Sequence, residues 1–155
     1  NLQPEMIEDI FREDIHHLGR NKRKHNISMH LEDDLLMANM DARLIIQVLV
    51  NLINNAIKYT PENSNISLNA RRVEDKILIE VQDDGNGVLH PDQLFEMFYT
   101  ENNRGGDTRR GMGLGLSLCK SIIQSHGGTI WVENVTPHGA CFKFVLDAVE
   151  VKLYE

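Results

Sequence analysis

Gln47, Asn51, Asn55 and Lys58 stand at i, i+4, i+8 and i+11, so on a helix they line up as one stripe. Beside them Ile45, Val48, Leu49, Leu52, Ile53 and Ala56 repeat at the spacing of a buried helix face. A row of neutral amides ending in a cation suits a phosphate-bound Mg²⁺. Amide oxygens ligate a hard cation, and an ammonium meets phosphate charge. A solvated polar edge explains the same stripe, and on this helix alone explains it better.

A second arrangement lies at Val81-Gln82-Asp83-Asp84-Gly85-Asn86-Gly87-Val88. Ile77, Ile79 and Val81 fall on one side of a strand, and Asp83 continues that alternation inward. A buried carboxylate is costly without partners, and the exocyclic amino group of a purine would be a good one. Gly85 and Gly87 would let the backbone turn sharply and pass close to a ligand. A ligand-free Asp-Gly turn accounts for the segment equally well.

The third is Gly111-Met112-Gly113-Leu114-Gly115-Leu116-Ser117, which opens a helix. Glycines ahead of a helix N-terminus offer backbone N–H groups to an anion, which the dipole also favours. The pattern is neither a P-loop nor a dinucleotide fingerprint: GxxxxGK[ST] is absent, and no strand leads into the GxGxG spacing. Tight helix packing explains the glycines about as well. Upstream, Tyr99 to Arg110 is polar and long for a compact domain, as a lid or a disordered stretch would be. Arg104, Arg109 and Arg110 give it cations that could reach a terminal phosphate. Phe95 and Phe98 would anchor its base.

These groups need elements to position them. Asp41 is placed to cap a helix running to about Tyr59. Ile66 to Val73 and Lys76 to Asp83 read as strands joined at Glu74-Asp75. Asp92 to Phe98 suits a short helical turn. Leu114 to His126 is a helix stopped by Gly127-Gly128. Thr129 to Val135 and Ala140 to Leu146 close as a hairpin. Earlier in the chain, Pro4 to Leu18 carries apolar residues at helical spacing, Ile27 to Leu31 alternates like a strand, and Leu35 to Met37 is expected to pair with it. Antiparallel hairpins with segregated helices predict an α+β two-layer sandwich.

Composition narrows the function classes. The 155 residues suffice for a domain with a hydrophobic core. A formal charge of −7 argues against nucleic acid as a partner, since that affinity rests on a cationic footprint. The basic run Arg20 to Lys24 reads as a solvated stretch. Cys119 and Cys141 form no CxxC pair, and the seven histidines lack metal-ligand spacing, so neither a disulfide framework nor a zinc site is expected. No apolar run reaches the length of a membrane span and no signal peptide opens the chain. A reducing, cytoplasmic setting fits. The chain begins inside a helix-like pattern, as a piece of a longer protein would.

Each feature is ambiguous alone, but their order resembles the catalytic ATP-binding domain of sensor histidine kinases, in the GHKL superfamily shared with gyrase, Hsp90 and MutL ATPases. The N box resembles Gln47 to Thr60, the G1 box Asp83-Asp84-Gly85-Asn86-Gly87, the F box Phe95-Glu96-Met97-Phe98, and the G2 box Gly111 to Leu116. The likeness runs from about Ile27 to Leu146. His126-Gly127-Gly128-Thr129-Ile130 and Gly139-Ala140-Cys141-Phe142 further resemble the Kdp-type, potassium-responsive kinases. The resemblance implies the Bergerat fold, a mixed and mostly antiparallel sheet packed on three helices. It implies ATP and Mg²⁺, with Asn55 and Asn51 as the metal-binding residues and Lys58 on phosphate; these three would form the catalytic set. Tyr59 would flank the adenine and Asp83 would accept from its amino group. Gly85 and Gly87 would shape the base pocket. Arg109, Arg110, Gly111, Gly113, Leu114, Gly115 and Leu116 would complete the nucleotide site from the lid side.

Hydrolytic members of the superfamily carry a glutamate one turn before the magnesium asparagine. Here that position is Asn51, which cannot act as a base, so the resemblance favours phosphoryl transfer over hydrolysis. Neither His16-His17-Leu18-Gly19 nor His25-Asn26-Ile27-Ser28 matches the family's phosphoacceptor motif. Residues 1–20 are therefore expected to end an acceptor or linker region, and 21–155 to form the catalytic domain. The implied partners are the acceptor-histidine domain of the same protein and a downstream response regulator, in a membrane-attached, dimeric whole. A GHKL serine kinase or ATPase, or a non-catalytic module keeping the fold, are the competing readings.

Overall fold

The structure is a computed structural model describing residues 1–19, 24–33, 35–96 and 114–149. In chain order the elements are β1 (Gln3–Met6), α1 (Ile7–Leu18), β2 (Asn26–Leu31), β3 (Met37–Met40), α2 (Ala42–Lys58), β4 (Asn65–Val73), β5 (Lys76–Asp83), α3 (Leu114–Ser125), β6 (Ile130–Asn134) and β7 (Ala140–Asp147). Strands β2-β4-β5-β7-β6 make one mixed sheet, with β2 and β4 parallel and the other pairs antiparallel. The expected α+β sandwich is the observed architecture.

The helix layer is organised by α2, which lies between α1 and α3 and packs on β4 and β5. Its Ile45, Val48, Leu49, Leu52 and Ile53 have no exposed surface, and each fully buried side chain of this size contributes about 1.5–3 kcal/mol. Asp41 caps it as expected: Oδ1 accepts from Leu44 N at 3.4 Å, next to the positive end of the helix dipole. The Asp41 N–H donates to His126 Nε2 at 3.0 Å, while His126 Nδ1 donates to Ile122 O at 2.8 Å. One neutral imidazole thus joins the end of α3 to the start of α2. Gly127 N and Gly128 N close α3 by donating to Gln124 O and Ile123 O, a Schellman arrangement.

Two expectations for the N-terminal part of the chain are corrected, while the strand over Ile27 to Leu31 stands as β2. Pro4 does not open the helix. Gln3–Met6 is a strand paired antiparallel with β3, and the helix begins at Ile7. Proline is tolerated there because β1 is an edge strand. Nor does the segment after β2 fold back on it. Leu35 N donates to Asp33 Oδ1 at 2.8 Å, turning the chain away, and β2 takes β4 as its parallel partner instead. Ile7, Ile10, Phe11 and Leu18 of α1 share one core with α2 and the sheet.

Among the described residues, no helix is long and apolar enough to cross a membrane.

Candidate functional site

A cleft of ≈ 440 Å³, counted out to open solvent, lies where the last turn of α2 meets the end of β5 and the start of β7. Asn55, Ala56, Tyr59, Asp83, Asn86, Gly87, Val88, Leu94, Ala140 and Phe142 line it. Asp83 is paired with Ile66 across the sheet and is only 8% exposed. Its Oδ1 accepts from Gly85 N at 2.9 Å and from Ala140 N at 3.3 Å. Two backbone donors from separate segments fix the carboxylate in the wall of the cleft.

The turns around Asp83 leave no room for side chains. A Cβ on Gly139 would stand 2.2 Å from Asp83 O, and Gly139 has φ +124°. A Cβ on Gly85 would stand 2.6 Å from Thr60 Cγ2. His138 Nδ1 donates to Asp84 O at 2.8 Å and Gly85 O at 3.2 Å. Asn134 holds the far end of the loop, accepting from Val88 N at 2.7 Å and donating to Val88 O at 3.0 Å. For Asp84, burial pushes the carboxyl up, but donors from Asn65 N and Nδ2 and the charge of His138 outweigh it, leaving it below its usual range.

Four of the residues singled out from the sequence meet here: Asn55, Tyr59, Asp83 and Gly87 line the cleft, and Gly85 backs it. Lys58 ends α2 and is exposed beside the cleft rather than in its lining. Asn51 sits one turn before Asn55, half-buried against α3. There the Cys119 thiol is pushed up to about 12 by burial, with the Asn51 amide acting in the opposite direction as a hydrogen-bond donor. Leu114, Gly115 and Leu116 form the first turn of α3, and Leu116 is buried. A Cβ on Gly115 would meet nothing within 4 Å among the described residues. Phe95 is buried edge-on against Phe142, with ring centroids 6.0 Å apart. Arg104, Arg109, Arg110, Gly111, Gly113 and Phe98 lie outside the described residues.

Residues 40–150 match the family described as histidine kinase-, DNA gyrase B-, and HSP90-like ATPase. The chain belongs to that family. Among curated proteins it is similar to the sensor protein KdpD of Clostridium acetobutylicum, at 35% identity over 90% of this chain and 16% of that protein. It is also similar to the adaptive-response sensory kinase SasA of Crocosphaera subtropica, at 46% identity over 68% of this chain and 28% of that protein. The chain thus spans well under half the length of these relatives. Among solved structures, the nucleotide-free catalytic domain of histidine kinase ThkA superposes with a TM-score of 0.83 at 28% identity, covering 95% of this chain and 97% of that one.

Within this histidine-kinase-type ATPase domain, several residues in or around the cleft were not assigned to it by the sequence. Ala140 and Phe142 follow from strand alternation only once β7 is known to neighbour β5. Asn134 and His138 act through backbone contacts that no spacing announces. Gly139 did offer a signal: a glycine directly before a strand often marks a close approach of another backbone.

Proposed function

We propose that the chain binds Mg-ATP and transfers its γ-phosphoryl group to a histidine on an acceptor domain outside these 155 residues. The observation that carries this reading is the Asp83 carboxylate, buried and pinned by Gly85 N and Ala140 N at one end of a cleft whose wall holds Asn55. A buried carboxylate in the lining of a partly apolar cleft suits the amino group of adenine. Ala56, Val88, Leu94 and Phe142 give the base apolar walls, and Tyr59 stands at the edge. The amide of Asn55 fits a hard cation, and Asn51, one turn away, is the second candidate ligand. Lys58 is close enough along the helix to meet phosphate charge. Mg²⁺, when bound, would neutralise charge on the phosphates.

Phosphoryl transfer depends mainly on positioning and on charge stabilisation. The side chain at position 51 is an amide beside Cys119 of α3 and cannot deprotonate water. That supports transfer to a partner over rapid hydrolysis. The fold likeness to a kinase catalytic domain supports the same choice. The partners that follow are the acceptor-histidine domain and, after it, a response regulator; a solved complex of ThkA with the response regulator TrrA is consistent with that order for that protein. In the whole protein, membrane attachment and dimerisation belong to the same proposal.

The test supplies the chain with a separate acceptor-histidine domain and γ-labelled ATP. Acid-labile label on the acceptor, with slow phosphate release by the chain alone, is expected. Rapid phosphate release without transfer would identify an ATPase, and acid-stable label a serine kinase; either overturns the proposal.

A further inference from the structure

We infer that His25 and Thr60 are a positioning pair for the base subsite, setting the Asp83–Gly85 turn against the last turn of α2; this rests on the nucleotide reading of the cleft. Thr60 Oγ1 donates to Ala56 O at 2.6 Å, which satisfies a carbonyl in the final turn of α2. That bond commits the hydroxyl proton. His25 Nε2, 2.9 Å from the same oxygen, must therefore be the donor. His25 is 6% exposed, and its Nδ1 has no hydrogen-bond partner among the described residues. Among the described residues the buried ring makes one side-chain bond, and that bond ends on Thr60.

The third contact of Thr60 gives the pair its target. Its Cγ2 occupies the space where a Cβ on Gly85 would lie, 2.6 Å away. Gly85 N is in turn a donor to Asp83 Oδ1. One side chain therefore touches the helix that carries Asn55 and the turn that orients Asp83. His25 is held in place from behind: Asn26 N donates to Ser64 O at 2.9 Å and Asn26 Nδ2 to Asn63 O at 3.1 Å, so the start of β2 lies along the segment that leaves α2. Neither His25 nor Thr60 lines the cleft, so both act through other residues.

A merely structural pair would, when broken, loosen binding of every nucleotide alike. A positioning pair would degrade recognition of the base edge. The experiment is competitive titration of ADP against IDP, which lacks the exocyclic amino group, on the wild type and on Thr60→Val, His25→Ala and His25→Gln. The wild type is expected to prefer ADP. Thr60→Val and His25→Ala are expected to weaken ADP about tenfold, the worth of one buried hydrogen bond, while IDP changes little. In His25→Gln the amide N–H can donate to Thr60 Oγ1, so the wild-type ratio is expected to return. Equal weakening of both nucleotides, or an unchanged ratio in folded variants, overturns the pair. If His25→Ala does not fold, the near-isosteric Thr60→Val decides. A folded wild type that binds neither nucleotide sinks the nucleotide reading and the pair together; a wild type that prefers ADP beside unaffected variants sinks the pair alone.

Discussion

Asp83 and Asp14 are both carboxylates taken out of water, at opposite ends of a scale of support. Asp83, at the end of β5, receives two backbone N–H groups and lines a concavity. Asp14 occupies the core-facing stripe of α1 with Ile7, Ile10, Phe11 and Leu18, has no exposed surface, and neither of its oxygens has a hydrogen-bond partner among the described residues. Burial, with the nearby charge of Glu13 adding to it, pushes the Asp14 carboxyl up to about 8. The same residue type thus lines a cleft in one place and is a stability liability in the other. What separates them is whether backbone donors were already committed to the carboxylate when the chain folded.

The largest effect that can test this contrast comes from Asp14. Its folded pKa lies above the 3.8 of the free side chain. Between about pH 4 and pH 8 the folded chain therefore holds a proton that the unfolded chain has released. Stability is favoured by this group at low pH and falls as pH rises through that window, with the loss complete above about 8. The swing is about 6 kcal/mol as an upper bound. Asp14→Ala is expected to remove that slope and to raise stability at pH 7.5, read by urea denaturation across the pH range. An unchanged slope would mean that the carboxylate finds a partner in solution.

Next in size is Gly139→Ala. The new methyl would meet Asp83 O at 2.2 Å in a backbone conformation that L residues avoid. A loss of about 2–4 kcal/mol is expected by denaturation, and what folds should bind nucleotide poorly, because Ala140 N would leave Asp83. Tolerance of alanine would show that the two backbones need not approach so closely. Asp41 is a third supported carboxylate, at a helix end rather than a cleft. Asp41→Ala is expected to cost about 1 kcal/mol and to leave nucleotide affinity unchanged; a matching loss of affinity would mean that α2 as a whole sets the site. The smallest effect belongs to Asn134→Ala, which removes both bonds to Val88. Stability should fall by at most about 1 kcal/mol, with faster amide exchange confined to the loop 84–90; exchange spreading into β5 would extend the brace beyond that loop.

The same contrast explains what the sequence made legible. Asp41, α2 and the alternation that turns Asp83 inward are local patterns, and each stands in the structure where its spacing put it. The strand Gln3–Met6 is not local. Its four residues owe their conformation to Met37–Met40, and the apolar period of α1 extends into them without consequence. Asp14 was legible in principle, since it falls four residues before Leu18 and three after Phe11 on the buried face, but its lack of partners was not. His25 and Thr60 lie 35 residues apart, and only the parallel register of β2 on β4 brings them together. Pairings across a sheet, unlike periods along a helix, leave little trace in one chain.

The supported carboxylate is the centre of the account, and calorimetric titration of Mg-ADP into the wild type and into Asp83→Asn tests it most directly. Asparagine keeps an acceptor for Gly85 N and Ala140 N, so the fold should persist. The account predicts measurable binding by the wild type and affinity lower by about 100-fold in Asp83→Asn, with unfolding midpoints close together. Equal affinity in the two proteins, or no binding by a folded wild type, would contradict it.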